Sequence, residues 1–436
     1  MLMGFTPIRE ILDGNFEDKK VAIRGWVYRK REGKQTVFLV IRDATGIIQC
    51  LIKRESPAWS EAEKITIESS LTLEGTAKKD TRAPGGYEVS VEKLSIIGLA
   101  ELFPITKGKG KKGEEDSEEF LRNVRHLWLR SHRMNLVMKV RSEVQRFTHE
   151  FFKEQKFIEV APPMFVTSAV EGGSTLFGLK YFDQNMYLTQ SAQLYLEILI
   201  YSLEKVYCIA PSFRAEKSRT IRHLTEYWHI EAEQAFADMK DLMWLEEELV
   251  AYICRRTAES CKKEFEELAA DISKLESVKT PFPKITYTEA IEKLKAKGFS
   301  IKWGEDLGYE EEKAVADIFG KPFFIYDYPK QIKAFYCKIH RDNPDLAMST
   351  DMLVPRIGEI STGGAREDDK RKLLERLKEM GLKEEDYDWY IDLRRYGTVP
   401  HVGFGMGLER LLTWMLDLEN IIDAIPFPRT IRRFYP

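Results

Sequence analysis

Along the first hundred residues the hydrophobic positions fall on alternate places. VAIRGWVYRK (Val21 to Lys30), TVFLVIRD (Thr36 to Asp43), IIQCLIK (Ile47 to Lys53), SLTLEGTAKK (Ser70 to Lys79) and YEVSVEKLSII (Tyr87 to Ile97) are short runs of β-branched and aromatic residues, separated by turns such as DATG and RAPGG. Each reads as a strand with one buried face. Five such strands in roughly 80 residues predict a small Greek-key barrel. From Arg122 the period changes. NLVMKVRSEVQRFTHEFFKEQ carries its apolar residues at helical spacing, and IEVAPPMF follows as a strand entering a Pro-Pro break. Tyr187 to Phe236 alternates strands and helices, and Met239 to Ser277 is a long amphipathic stretch. Lys372 to Tyr387 predicts a further helix, and HVGFGMGLERLLTWML a glycine-punctuated strand running into one. The mixture predicts an α+β protein whose larger domain is built on an antiparallel sheet.

Composition narrows the picture. The chain has 436 residues, enough for two or three domains, and is 43% hydrophobic and 31% charged. No stretch has the apolar length that crosses a bilayer, and the N-terminus MLMGFTPIREILDG lacks a signal-peptide core, so a cytoplasmic protein is expected. The five cysteines form no CxxC pair, which favours idle thiols over a zinc site or disulfides. A net charge of −3 excludes a bulk polycation, so any nucleic acid must be held by local basic patches. Thr106 to Glu119 (TKGKGKKGEEDSEE) cannot bury a core and reads as a hinge.

The most informative segment is YCIAPSFRAEKSRTIRHLTEYWHIEAEQAF, Tyr207 to Phe236, two strands joined by a basic loop. Alternation places Ser212, Arg214 and Glu216 on one face of the first strand. It places Tyr227, His229, Glu231 and Glu233 on one face of the second, with Trp228, Ile230 and Ala232 opposite. Polar residues in the middle of a sheet are costly unless paired, so the pattern fits either a salt-bridge network or a site. The loop adds Lys217, Arg219, Arg222 and His223, cations that suit a polyphosphate. In GFGMGLER, Gly403, Gly405 and Gly407 clear one strand face for a flat ligand, and Arg410 follows in the first turn of a helix. A guanidinium there can stack on an aromatic ring and pair with phosphate.

These segments carry a resemblance. PSFRAE with RHLTEYWHIEAE resembles motif 2 of the class II aminoacyl-tRNA synthetases, GFGMGLER resembles motif 3, and KFIEVAPPMF, with Pro163, resembles motif 1, the dimer interface of that family. The barrel resembles the OB-fold anticodon-binding domain that marks the aspartate/asparagine/lysine subgroup. The resemblance covers nearly the whole chain in the family's order. It implies an anticodon-binding OB domain over 1–103, a hinge over 104–134, and a catalytic domain over 135–436. In the latter, helices flank a central antiparallel sheet, with a helical insertion at about 239–338. It also implies ATP and Mg²⁺ as cofactors, tRNA and an amino acid as partners, and a homodimer through motif 1.

Residue by residue, the resemblance implies that Arg214 holds the α-phosphate and the amino-acid carboxylate, that Glu216 contacts adenine, and that Tyr227 stacks on it. Arg222 and His223 would grip the β- and γ-phosphates, and Arg410 would cover the other adenine face. Asp351 and Glu359, in TDMLVPRIGEIS, match the acids that bind magnesium, whose preference is for hard oxygen ligands. Ser191, Gln193 and Glu171 match residues around the substrate's α-amino group, and Arg366 the arginine that reads its side-chain oxygen. Phe38, Gln49 and Glu88 match residues that stack on and hydrogen-bond the central anticodon uridine; read from the residues alone, Phe38 fits a barrel core equally well.

Within the subgroup the resemblance points to asparagine. Aspartate enzymes usually carry a lysine where QSAQLYLE has Leu196, and tend to have Asp at the position of Glu231. A substrate carboxylate facing Arg366 without that lysine is under-compensated, while a neutral amide is not. Aspartate is the alternative, and the lysine enzymes, which lack an equivalent of Arg366, come last. Two readings from other classes compete: a paralogue that has lost aminoacylation, either amide-forming, which would lack the barrel, or an amino-acid sensor; and a pure RNA-binding protein, which would have no use for the ATP-site residues.

Overall fold

The computed structural model describes residues 4–105, 117–170, 175–217 and 220–436. They fall into two compact units, Met1–Leu121 and Arg122–Pro436. Part of the expected hinge, and Glu171, lie outside the described residues.

In the first unit β1 (Lys20–Glu32), β2 (Thr36–Arg42), β3 (Ile47–Lys53), β4 (Ser70–Lys79) and β5 (Tyr87–Gly98) close into a barrel in the order β1-β2-β3-β5-β4. Alternation does what the pattern predicts. Val37, Leu39 and Ile41 of β2 and Ile48, Cys50 and Ile52 of β3 point inward and are at most 1% exposed. The barrel closes by bringing neighbouring backbones close. A Cβ on Gly25 would lie 2.3 Å from the Arg42 carbonyl oxygen, and one on Gly75 would lie 2.3 Å from that of Ser90. Ile8 and Ile11, on the short helix Ile8–Leu12, are buried in the same core.

The second unit is built on an eight-stranded sheet. Its strands are β6 (Ile158–Glu159), β10 (Lys205–Phe213), β11 (Glu226–Ala235), β12 (Lys284–Thr286), β13 (Phe323–Pro329), β14 (Leu346–Val354), β15 (Gly358–Ala365) and β16 (His401–Gly407), in the order β12-β13-β14-β15-β16-β11-β10-β6. The six central strands are antiparallel, and a parallel strand lies at each edge. A small second sheet, β7 (Phe165–Val166), β8 (Gly178–Tyr181) and β9 (Gln184–Leu188), stands beside it. One face of the large sheet presents Ile230, Phe404, Met406, Met352 and Ile360 to the helices His132–Glu154 and Met239–Ser260, which supply Phe147, Phe152, Leu242, Leu249 and Ile253. Each such side chain contributes about 1.5–3 kcal/mol on burial.

The region 239–338 is not purely helical. Met239–Ser260 is a core helix, started by a capping box in which Asp238 and Asp241 bond each other's backbone N–H. β12 and β13 belong to the central sheet. The two strands are only three and seven residues long, short enough for the periodicity of the surrounding helices to mask them.

Glu246 lies in this helix layer, fully buried. Ser361 Oγ donates to its Oε1 at 2.5 Å, and its Oε2 has no hydrogen-bond partner among the described residues. Burial, opposed by the Ser361 hydroxyl, raises its pKa from 4.5 to about 8, so the folded protein holds it neutral at pH 7. The stability associated with the neutral carboxyl is full below pH 4.5 and is lost as pH rises to about 8, because only the unfolded chain ionises there. Glu246→Gln is therefore expected to melt close to wild type at pH 4.5 and several degrees above it at pH 9. Thermal melts at the two pH values check this; an equal offset at both would show that ionisation is not the cause.

Candidate functional site

The other face of the large sheet is polar and open. Arg214 follows directly on β10, and Tyr227, His229, Glu231 and Glu233 lie on β11, paired with β10 on one side and with β16 on the other. Two adjoining clefts lie over them. The larger, about 370 Å³, is lined by Ser191, Gln193, Leu196, Glu231 and Arg366, which are all the described residues matched to the amino acid. The smaller, about 50 Å³, is lined by Arg214, Glu216, Arg222, His223, Tyr227, Glu359 and Arg410, the residues matched to ATP. Arg214, His229, Glu359 and Gly405 border both clefts, so Arg214 stands at their junction.

In the smaller cleft the Arg214 guanidinium lies 5.8 Å from the centre of the Tyr227 ring, and that ring meets His229 edge-on at 4.9 Å. Arg410 Nη1 donates at 3.0 Å both to Glu359 Oε1 and to the Glu359 carbonyl. Burial would raise the Glu359 pKa, but Arg410, Lys333, Arg222 and Arg214 outweigh it and hold the carboxylate ionised. Burial together with Arg410 and Arg222 lowers the His223 pKa to about 4, and burial with Arg214 and Arg410 takes His229 well below its ordinary value. Both imidazoles are neutral at pH 7, so the positive charge here belongs to the arginines.

Two expectations change. Arg222 does not stand free for phosphate: it is buried and forms a two-pronged ion pair with Glu312, from the helix Tyr309–Phe319. Glu312 Oε2 also accepts the Glu359 backbone N–H at 2.8 Å. Nothing in the loop KSRTIRH could signal a partner 90 residues away. Gly403 does not clear space for a ligand either. A Cβ there would lie 1.8 Å from Glu233 Oε2, so this glycine makes room for a carboxylate, while Gly405 and Gly407 border the clefts.

In the larger cleft Arg366 donates from Nε to Glu233 Oε1 at 2.9 Å and from Nη2 to Glu233 Oε2 at 3.0 Å. Burial raises the Glu233 pKa, opposed by Arg366. Glu231 accepts the Ser191 hydroxyl and, at 2.9 Å, the Ala192 N–H. It thereby fixes the entry to the helix Gln193–Leu203, on which Gln193 and Leu196 sit. Lys333 Nζ reaches both oxygens of Asp351, at 3.1 and 3.0 Å, and sits 3.9 Å over the Tyr328 ring. Burial raises the Asp351 pKa, with Lys333 opposing and Glu359 adding to the rise. Asp351 and Glu359 thus feel each other's charge, and both oxygens of Asp351 are already bonded to Lys333. Among the described residues Glu197, Glu233 and His401 also have metal-like spacing, but the carboxylates bond Arg366 and Arg394, and the His401 ring bonds Glu197.

A third cleft, about 450 Å³, lies on the barrel wall and gathers Phe38, Gln49 and Glu88 with Arg29, Lys30 and Arg31. Phe38 faces this cleft, while its neighbours Val37 and Leu39 form the core. Gln49 Nε2 donates to Glu88 Oε2 at 3.0 Å, across a β3–β5 pair that sets the two side by side.

Sequence reasoning missed Glu197, Glu312 and Lys333. Glu197 had a signal, since it lies four residues, one helical turn, beyond Gln193. Glu312 and Lys333 had none: each finds its partner only when β12 and β13 join the sheet.

Residues 117–431 match the family of tRNA synthetases class II (D, K and N), and residues 21–97 match the OB-fold nucleic acid binding domain. The chain is 52% identical over 424 residues to the asparagine–tRNA ligase of Thermococcus kodakarensis, covering 96% of this chain and 97% of that one. It resembles the crystal structure of asparaginyl-tRNA synthetase from Pyrococcus horikoshii complexed with asparaginyl-adenylate, with a TM-score of 0.95 and 47% identity over all of both chains. It also resembles the aspartyl-tRNA synthetase of Entamoeba histolytica, with a TM-score of 0.85 and 26% identity over 99% of this chain and 93% of that one. The chain belongs to the class II tRNA synthetases of the aspartate, asparagine and lysine group.

Proposed function

We propose that the chain is an asparagine–tRNA ligase: it activates asparagine with ATP to asparaginyl-adenylate and transfers the acyl group to the 3′-terminal ribose of tRNA(Asn). The observation that carries the choice of amino acid is the Arg366–Glu233 pair. Arg366 is the side-chain reader, but its charge is already matched by a carboxylate on two hydrogen bonds, and Leu196 adds none. A substrate amide can accept from the remaining guanidinium N–H, whereas a substrate carboxylate would enter a pocket without spare positive charge. The 52% identity to an asparagine–tRNA ligase supports the same reading.

Activation joins two anions, so catalysis consists of positioning and charge neutralisation. In this reading Arg214, at the junction, holds the α-phosphate and the attacking carboxylate together, while Arg410 and Tyr227 bracket the adenine and Glu216 contacts it. His223 lines the phosphate side as a neutral hydrogen-bond group, and Arg222 acts through Glu312 to hold the Glu359 strand in place. Ser191 and Gln193, with Glu171, surround the α-amino group. Asp351 and Glu359 would hold Mg²⁺, which when bound supplies charge neutralisation at the phosphates. Lys333 opposes the rise in the Asp351 pKa and helps to lower that of Glu359.

The Met1–Leu121 unit is read as the anticodon reader, with Phe38 stacking on a base. The Arg122–Pro436 unit is read as the catalytic body, a homodimer through Lys156 to Phe165. Ile158, Met164, Phe165, Tyr181 and Phe182 lie exposed there, apolar surface of the kind a subunit interface covers. No helix among the described residues is long and apolar enough to cross a membrane, and we place the protein in the cytoplasm with its tRNA.

Three outcomes are expected. In pyrophosphate exchange kcat/KM for asparagine should exceed that for aspartate at least about tenfold, because an unpaired buried charge costs upwards of about 1–3 kcal/mol. Equal or better use of aspartate would make the chain an aspartate–tRNA ligase instead. Arg214→Ala and Arg410→Ala should each lower exchange on the order of 100-fold with the fold preserved. Exchange within a few-fold of wild type would remove that residue from the ATP site. Phe38→Ala should raise the KM for tRNA about tenfold while leaving exchange intact, since a base stack contributes about 1–3 kcal/mol; equal loss in both assays would mark a structural residue.

A further inference from the structure

Behind the amino-acid cleft lies a charged cluster whose central residue does not line the cleft. Its centre is Glu197, fully buried on the helix that carries Gln193 and Leu196, and absent from the cleft lining. Its Oε1 accepts Gln193 Nε2 at 3.0 Å. Its Oε2 accepts Arg394 Nη2 at 2.8 Å, His401 Nε2 at 2.9 Å and the Tyr390 hydroxyl at 2.6 Å. Its Oε1 also lies 3.9 Å from Arg366 Nε. Burial alone would raise its pKa, but Arg394, His401 and Arg366 outweigh burial and keep the carboxyl below its ordinary value, so it is ionised.

The charges can be counted. Two guanidinium groups, Arg366 and Arg394, face two carboxylates, Glu197 and Glu233. With Glu197 ionised, the guanidinium and carboxylate charges balance one for one, and His401, whose ring nitrogens face the Val399 carbonyl and Glu197, is held on the same carboxylate. Without it, Glu233 alone would face two guanidinium groups, and the surplus would sit beside the substrate's side-chain oxygen in a region of low dielectric, where it acts strongly.

We propose that Glu197 is a specificity-determining residue of the amino-acid site: its buried charge offsets that of Arg394, as Glu233 offsets Arg366, so that Arg366 meets the substrate as a hydrogen-bond donor and not as a counter-ion, favouring a side-chain amide over a carboxylate. The proposal deepens the asparagine reading above and rests on it. Glu197 acts through Arg366 and Gln193, which it also orients. It is a positioning residue and takes no part in the chemical step.

The test uses the sign of the charge. Full-length wild type, Glu197→Gln, Arg394→Gln and the double variant are compared in pyrophosphate exchange with asparagine and with aspartate. Aspartate is also read as a competitive inhibitor of asparagine activation, so that a rejected substrate still yields a value. Glu197→Gln keeps the shape and removes the negative charge, and should lower the asparagine preference at least about tenfold. Arg394→Gln removes a positive charge and should raise it, and the double variant should return to within about threefold of wild type. A purely structural role would weaken both amino acids together, with no reversal of sign. Unchanged preference in both single variants, with wild-type melting, overturns the proposal. Should Glu197→Gln fail to fold, Arg394→Gln decides alone: a rise in preference supports the role of Glu197, and no change or a fall overturns it. The wild-type ratio answers a separate question. A wild type that uses aspartate as well as asparagine removes the asparagine reading, while the shift of preference with deleted charge still reports on Glu197.

Discussion

Charge set into the middle of a sheet must find its opposite, and the catalytic unit is arranged around that requirement. One face of β11 is packed into the helix layer through Ile230 and Ala232, which leaves His229, Glu231 and Glu233 on the other. Each acid there is answered: Glu233 by Arg366, Glu231 by a hydroxyl and a helix-entry N–H. The two histidines beside the arginines stay neutral. The desolvation cost of buried ions is offset only by such complete pairing. The fixed dipoles and charges that result are what a reaction between two anions needs, because they do not have to reorganise when charge moves.

The two clefts follow from the same arrangement. A sheet sealed on one side and charged on the other offers a floor. The helix Gln193–Leu203, entered through Ser191 and Ala192 on Glu231, supplies a wall at one end. Glu359 and Arg410, tied to each other, border the other cleft. Glycines on β16 keep that floor low where ligands belong, and Gly403 lets Glu233 stand beneath Arg366.

Features governed by local periodicity were legible in the sequence. The barrel strands announced themselves because one face of each is buried, and the β10–β11 hairpin because its alternation of Ile230 and Ala232 with His229, Glu231 and Glu233 is strict. Phe38 was ambiguous by pattern, and the register of β2, with Val37 and Leu39 inside, decides that it faces out. Partnerships were not legible. Arg222 read as a free cation because its counter-ion arrives on a helix with no local link to it, and Lys333 and Glu312 fell in a stretch whose strands are too short to stand out. Periodicity tells which face a side chain takes; it says nothing about which distant residue meets it there.

That distance in sequence has a consequence for how the molecule comes into being. Arg222 meets Glu312 across 90 positions, Arg366 meets Glu233 across 133, and Arg394 and His401 meet Glu197 across 197 and 204. Contacts of such long range must offset the entropy of closing a long loop, and topologies rich in them fold slowly. On the ribosome, Glu197 emerges long before either Arg394 or His401, and an isolated carboxylate cannot be buried without its partners. The ring of contacts around Glu197 is complete only once β16, which carries His401, has been made.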